Sequence, residues 1–291
     1  LMSLIFSHNI YFKSLVEHTK DTQIKDYQIN KNDSLYVAKL TEQNKIIDDY
    51  KLDQIKKTKL VPNITVTNLP KDLKIIKSIK NRKELFIKIT LPLIVKENEK
   101  LISLNQKIAD IKERFSKISR DDALWLKNIQ SQYDADTIDQ LLIKVDVIPT
   151  SLALAQAVIE SGWGTSRFAY EGNALFGQYI WGNWNDGIIP NERESNAQFK
   201  IKSFNSLKDS VASYMKNLNT NFHYNDFRIN RYVMRSNNIS LSGTILADYL
   251  SSYSIENDYP TKIKNIIKMN NFEDFENIRL DKQNVVFSDI I

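Results

Sequence analysis

Glu160 is the residue whose setting best suits chemistry. It sits near the end of residues 151–161, Ser-Leu-Ala-Leu-Ala-Gln-Ala-Val-Ile-Glu-Ser, a strongly apolar helical run stopped by Gly162 and Gly164. Burial disfavours the ionised form of a carboxylate, and the negative end of a helix dipole pushes the same way. Both effects raise the pKa, as a general acid working near neutral pH requires. The plain alternative is a partly exposed helix-terminal Glu with no chemistry. Downstream, Phe168, Tyr170, Phe176, Tyr179, Trp181 and Trp184 fall within seventeen positions of a Gly- and Asn-containing stretch. A loop this aromatic more often lines a groove than fills a core. Sugar rings stack on such side chains while Asn and Asp bond their hydroxyls. Nucleobases stack too, but no Arg/Lys cluster accompanies these aromatics, so no nucleic-acid partner is expected.

Hydrolysis of a glycosidic bond calls for a second carboxylate. Asp186, Glu192 and Glu194 follow Glu160 by 26, 32 and 34 residues. On an extended arm Glu192 and Glu194 share a face, so spacing does not choose between them. For each, an exposed turn carboxylate is the plain alternative.

Composition narrows the other options. The chain of 291 residues has no Cys, which excludes disulfides, a thiol nucleophile and thiolate metal sites. Three His, at positions 8, 18 and 223, make a His-rich zinc centre improbable, and no metal site is expected. No apolar run approaches the length of a membrane-spanning helix. Residues 1–140 carry 25 Lys/Arg against 19 Asp/Glu, and residues 141–291 carry 15 against 16. The basic bias of the first part could favour anionic surfaces, although solvated helix faces explain it equally. Leu1 to Phe6 is apolar, but His8, Asn9 and Lys13 break the run and no small-residue cleavage pattern follows, so no clear export signal is read.

The elements that would position the chemistry are mostly helical. Pro92 is read as the start of an amphipathic helix with Ile94, Leu101, Leu104, Ile108, Ile111 and Phe115 on its apolar face. An earlier helical stretch runs from near Pro70 past Leu73, Ile76 and Ile79. Leu60 to Val66 reads as an extended connector, and Asp121 and Asp122 mark a further helix start. Thr150 is the expected N-cap of the apolar helix. Residues 172–205 read as a loop and small β-hairpin, with Phe199, Ile201 and Phe204 alternating. A helix begins at Ser206 with Asp209 at the capping-box position. Another includes Ile245, Leu246, Tyr249, Leu250 and Tyr253, and Pro260 fits the first turn of the last one. The expected division is a helical auxiliary region over 1–135, a compact domain over 136–270 and an irregular tail over 271–291.

The motifs also carry a resemblance. Leu154 to Ser166 resembles the signature of the β-N-acetylglucosaminidase domains of bacterial peptidoglycan hydrolases. Asn173-Ala174-Leu175-Phe176-Gly177 resembles their next motif, with Ala174 in place of the usual second Asn and Gln178-Tyr179 in place of the common Ile-Lys. Phe204, Ser210, Tyr214 and Asn217-Leu218-Asn219 match the helix that closes the fold. Tyr224 to Arg228, with Arg231, matches the segment that supplies the family's active-site tyrosine. Within the family the likeness is to the Bax-like branch, bacterial proteins unrelated to the animal apoptosis regulator.

What the resemblance implies is a mainly α fold: a lysozyme-like helical domain with a small β-hairpin lobe, preceded by a helical N-terminal region. The substrate would be the peptidoglycan glycan strand, cut at the β-1,4 bond after N-acetylglucosamine without metal or organic cofactor. Glu160 would protonate the leaving oxygen. Glu192, or else Glu194, would position water or stabilise the oxocarbenium-like centre. Alternatively the substrate's acetamido group would act as internal nucleophile, steadied by Tyr224. Trp163, Asn173, Phe176, Tyr179, Trp181, Trp184, Asp186 and Tyr214 would bind the glycan. The location implied is the bacterial cell envelope or periplasm, with peripheral attachment as an option and a monomer expected. Two other readings stay open: a lytic transglycosylase using the same acid, and a non-catalytic glycan-binding or scaffold module.

Overall fold

The computed structural model describes residue 47, residues 50–71, 73–181, 187–191 and 199–254, residue 256 and residues 258–282. Among these the chain is mainly α. The helices are α1 (Leu52–Thr58), α2 (Ile79–Glu113), α3 (Arg120–Tyr133), α4 (Ile138–Lys144), α5 (Thr150–Ser161), α6 (Arg167–Gly172), α7 (Leu207–Thr220), α8 (Asn225–Ser236), α9 (Gly243–Leu246) and α10 (Tyr259–Met269). The strands are β1 (Leu60–Pro62), β2 (Tyr179–Trp181), β3 (Gly187–Ile188), β4 (Phe199–Lys202) and β5 (Arg279–Asp281).

Helix α5 is the centre of the molecule. Its residues 150–158 are all buried, because the small side chains of Ala153, Ala155 and Ala157 let α2, α9 and α10 approach closely. Its N-terminus is not capped by Thr150, which is already the first helical residue. The carboxylate of Glu276 caps it instead, accepting from the backbone N–H of Thr150 at 3.1 Å and of Ser151 at 3.0 Å, and from the Ser151 hydroxyl. A carboxylate suits four unpaired N–H groups at the positive end of a helix.

Helix α2 is longer than expected, 35 residues with Pro92 inside it rather than before it. Pro92 has no N–H to give to the carbonyl of Lys88, which would normally break the helix. The hydroxyl of Tyr50 donates to that carbonyl in its place. The helix therefore continues, and Phe86 to Val95 is buried without interruption. Of the expected apolar face, Ile94, Leu101, Ile108 and Ile111 are buried, while Phe115 is exposed. Asn98 ties α2 to the entry of α5: its amide donates to the Ile148 carbonyl at 2.8 Å and accepts from the Ile148 N–H at 3.0 Å.

One hydrophobic cluster runs from Ile47 to Ile278, so no break in the packing falls at residue 135. Of the irregular tail expected over 271–291, residues 283–291 lie outside the described residues, and residues 271–282 are ordered into a 3-10 turn and a strand. Phe272 and Phe275 are buried in a short 3-10 turn, and β5 pairs in parallel with β1, Leu60 against Arg279. Leu60–Pro62 is thus a strand and not only a connector. The β lobe is a three-stranded antiparallel sheet ordered β2-β4-β3, with Tyr179 opposite Ile201 and Ile188 also opposite Ile201. The alternation of Phe199 and Ile201 inward is as expected. Two expected starts hold as well: Ser206 caps α7 through the Asp209 N–H at 3.2 Å, and Pro260 lies in the first turn of α10. The helix expected around Ile245 to Tyr253 is instead α9 followed by two 3-10 turns.

Candidate active site

Glu160 lies in the last turn of α5, where the chain reverses. Residues 162, 163 and 164 all have positive φ, at 57°, 60° and 75°. Two of the three are glycine, the residue that occupies this region without steric cost. At Gly164 a side chain is excluded on a second ground: a Cβ would come within 2.8 Å of Leu73 and 3.0 Å of Phe86. The Ser161 hydroxyl accepts from the Gly164 N–H at 2.9 Å, closing the turn. Ser161 is therefore a structural residue.

The carboxyl of Glu160 is enclosed by tyrosines. Tyr259 at the start of α10 donates from its hydroxyl to Oε1 at 2.7 Å. Burial pushes the Glu160 pKa up to about 7; the Tyr259 hydrogen bond opposes this, and the charge of Glu256 adds to it. Tyr179, Tyr214, Tyr224 and Tyr253 also feel the Glu160 charge, and burial raises the pKa of each. All four hydroxyls are therefore neutral donors near neutral pH. Gly177 passes across the carboxyl, where a Cβ would stand 3.1 Å from Oε2.

The described candidates from sequence sort into three groups. Glu160, Tyr179, Tyr214 and Tyr224 come together. Tyr179 and Trp181 lie on β2, 51% and 66% exposed, with their rings 5.2 Å and 5.7 Å from that of Phe199. They form an open aromatic surface on the β lobe, with Tyr179 its member that feels the Glu160 charge. Phe176 and Asn173 support the site from below. Phe176 is buried and stacks on Tyr214 at 3.8 Å, and its carbonyl accepts from the Tyr253 hydroxyl at 3.1 Å. Asn173 is buried in a left-handed C-cap, donating to Asn68 at 2.8 Å and to the Phe204 carbonyl at 3.1 Å. Trp163 points elsewhere. Its ring sits edge-on between Phe86 and Phe272, with the Lys83 ammonium over it at 4.6 Å, which makes it a clamp between α5, α2 and the C-terminal segment. Trp184, Asp186, Glu192 and Glu194 lie outside the described residues.

The residues missed from sequence are Tyr259, Tyr253 and Gln156. Tyr253 and Tyr259 stack on each other at 5.5 Å with nearly parallel rings. Tyr253 reads from sequence only as an apolar position, and Tyr259 carries no signal beyond the Pro260 that follows it. The available signal was a polar residue inside an otherwise apolar helix: Gln156, one turn before Glu160, is fully buried. Arg231, matched to the family segment, is also buried and holds the approach to α5. It donates to the carbonyls of Ile143, Asp146 and Val147 and to Asn219.

Among the described residues no group of three potential ligands could hold a metal ion, and no helix is long and apolar enough to cross a membrane.

A model of the family described as mannosyl-glycoprotein endo-beta-N-acetylglucosaminidase matches residues 135–272, the stretch that contains Glu160 and all five tyrosines around it. The match makes residues 135–272 similar to a glucosaminidase domain. The chain is 31% identical over 184 residues to the protein named Protein bax of Escherichia coli, covering 60% of this chain and 64% of that protein. It is 25% identical over 146 residues to the exo-glucosaminidase LytG of Bacillus subtilis, covering 46% of this chain and 48% of that protein. The chain thus spans about two thirds and half of these relatives. The catalytic domain of the autolysin Auto from Listeria monocytogenes aligns with 58% of this chain and 96% of its own, at 18% identity and a TM-score of 0.34. The matched stretch does not stand alone: Glu276 and β5 lie beyond its C-terminal limit, and α2 lies ahead of it.

Proposed function

We propose that this protein is a peptidoglycan hydrolase that cuts the β-1,4 bond following N-acetylglucosamine, with Glu160 as general acid. The observation that carries the reading is a carboxyl held near pKa 7 in the stretch that matches the glucosaminidase family, with the half-exposed Tyr179 within reach of its charge. Glu160 protonates the glycosidic oxygen as the C–O bond breaks, and a water adds at the anomeric carbon. The rings of Tyr179 and Trp181, with Trp184, stack on sugar faces, and Asp186 bonds a hydroxyl. The basic bias of residues 1–140 suits peripheral contact with an anionic envelope, and the working unit is a monomer in the cell envelope or periplasm.

The test is the mass of the soluble products from purified peptidoglycan. A hydrolase yields reducing ends one water heavier than the anhydro ends of a transglycosylase, and a binding module yields no soluble product. Reducing-end N-acetylglucosamine is the expected result.

The second acid is Glu192 in this reading. Glu192→Ala should lower the rate by orders of magnitude and Glu194→Ala by only a few-fold, measured on the same substrate with folding checked by circular dichroism. The reverse pattern moves the role to Glu194. Near-full rates in both point to Asp186 or to the substrate-assisted route with Tyr224, whose oxygen accepts from Asn217.

A further inference from the structure

A directed chain of hydrogen bonds ends on Glu160. The Tyr214 hydroxyl donates to Gln156 Oε1 at 2.7 Å. That fixes which end of the Gln156 amide faces the other way, and its Nε2 donates to the Tyr259 oxygen at 3.1 Å. With that oxygen accepting, the Tyr259 proton is turned to Glu160 Oε1 at 2.7 Å. Tyr214, Gln156 and Tyr259 are all buried, so water does not compete for these donors. Reversing the chain would leave the Tyr214 proton without a partner among the described residues, a cost of about 1–3 kcal/mol.

We propose that Tyr259, oriented through Gln156 by Tyr214, is a positioning residue that reserves Oε1 of Glu160 as an acceptor and so places the acid's proton on Oε2. This deepens the hydrolase reading and, for its catalytic consequence, rests on it. A neutral carboxyl carries its proton on one oxygen only, and Oε1 already receives one from Tyr259. Oε2 is the oxygen that faces Gly177, the position where even a Cβ would crowd it at 3.1 Å. Any side chain at 177 would stand against Oε2, so glycine there keeps that oxygen free of a side-chain contact.

The other groups that face Glu160 do not supply this direction. Tyr253 spends its proton on the Phe176 carbonyl, and Tyr224 feels the Glu160 charge without a hydrogen bond to it. Tyr179 on β2 acts on Glu160 only at a distance, and Glu256, ion-paired with Lys262, disfavours the charged form without touching it.

The sign of one titration decides the question. Donation from Tyr259 favours the ionised carboxylate. In Tyr259→Phe, with full-length protein and no substrate, the Glu160 midpoint should rise by about one pH unit, a tenfold change in the equilibrium. It is read by NMR of side-chain-labelled glutamate and assigned by its loss in Glu160→Gln. Tyr214→Phe, which frees the Gln156 amide to turn, should shift the midpoint the same way by less. A midpoint that falls or stays still in Tyr259→Phe overturns the proposal, because the hydrogen bond would then run from the acid to the tyrosine or carry no weight. Should Tyr259→Phe fail to fold, Tyr214→Phe alone decides by the same sign. On peptidoglycan, the alkaline limb of the Tyr259→Phe rate profile should move up with the midpoint while the plateau rate falls ~10-fold. Wild type without cleavage would overturn the hydrolase reading and leave the titration result standing.

Discussion

Glu160→Gln is expected to abolish glycan cleavage, by ~10²-fold or more, while the protein stays folded. Gln keeps the size of the side chain and can still accept the Tyr259 proton, but it has none to give to a leaving oxygen. The same variant should alter stability in a defined pH window. Wild-type Glu160 has a pKa raised from 4.5 to about 7 in the folded state. Between those values the unfolded chain releases a proton that the native state retains, so wild-type stability falls as pH climbs through the window. The Gln variant carries no such proton. Its melting temperature, relative to wild type, should therefore be higher at pH 8 than at pH 4. Loss of activity together with this crossover separates removal of the acid from general damage to the fold. Activity above about a tenth of wild type would remove Glu160 from the mechanism.

A fragment of residues 136–270 is expected not to fold, and so to be inactive. Sequence suggests a separable domain there, but α2 contributes Phe86, Ile89, Leu91, Leu93, Ile94 and Val95 to the core, each at most 1% exposed. At about 2 kcal/mol for each buried side chain, losing them removes roughly 12 kcal/mol. That matches the whole net stability of a typical domain, about 5–15 kcal/mol. The fragment also lacks Phe272, Phe275 and Glu276, leaving Trp163 without its C-terminal neighbour and α5 without its N-terminal cap. Circular dichroism and thermal melting of the fragment against the full chain make the comparison. A cooperative melt in the fragment would show that α2 is an accessory and not part of the core.

These expectations divide along a physical line. The burial of Glu160, the helix that carries it and the glycines after it are legible because they depend on local rules: apolar run, helix stop, positive φ. The capping of α7 by Ser206 and the Pro260 start of α10 follow from the same short-range chemistry. The aromatic residues announced a site but not their separate duties. Trp163 and Tyr179 are similar amphipathic residues in one loop-rich stretch, yet one is clamped between Phe86 and Phe272 and the other lies open beside the acid.

Only contacts between residues far apart in the chain could distribute those roles. Pro92 read as a helix start because proline lacks a donor, and nothing near it in sequence reveals that Tyr50, 42 positions earlier, satisfies the stranded carbonyl. Tyr259, 99 positions from Glu160, sets the orientation of its carboxyl, and Glu276, 125 positions from Ser151, caps the helix that carries it. Residue type and spacing are enough to say that a carboxyl on this helix would be hard to ionise. Which oxygen accepts, which donor faces it and what clears its path depend on hydrogen-bond directions between separate elements, and those exist only once α5, α7 and α10 are packed together.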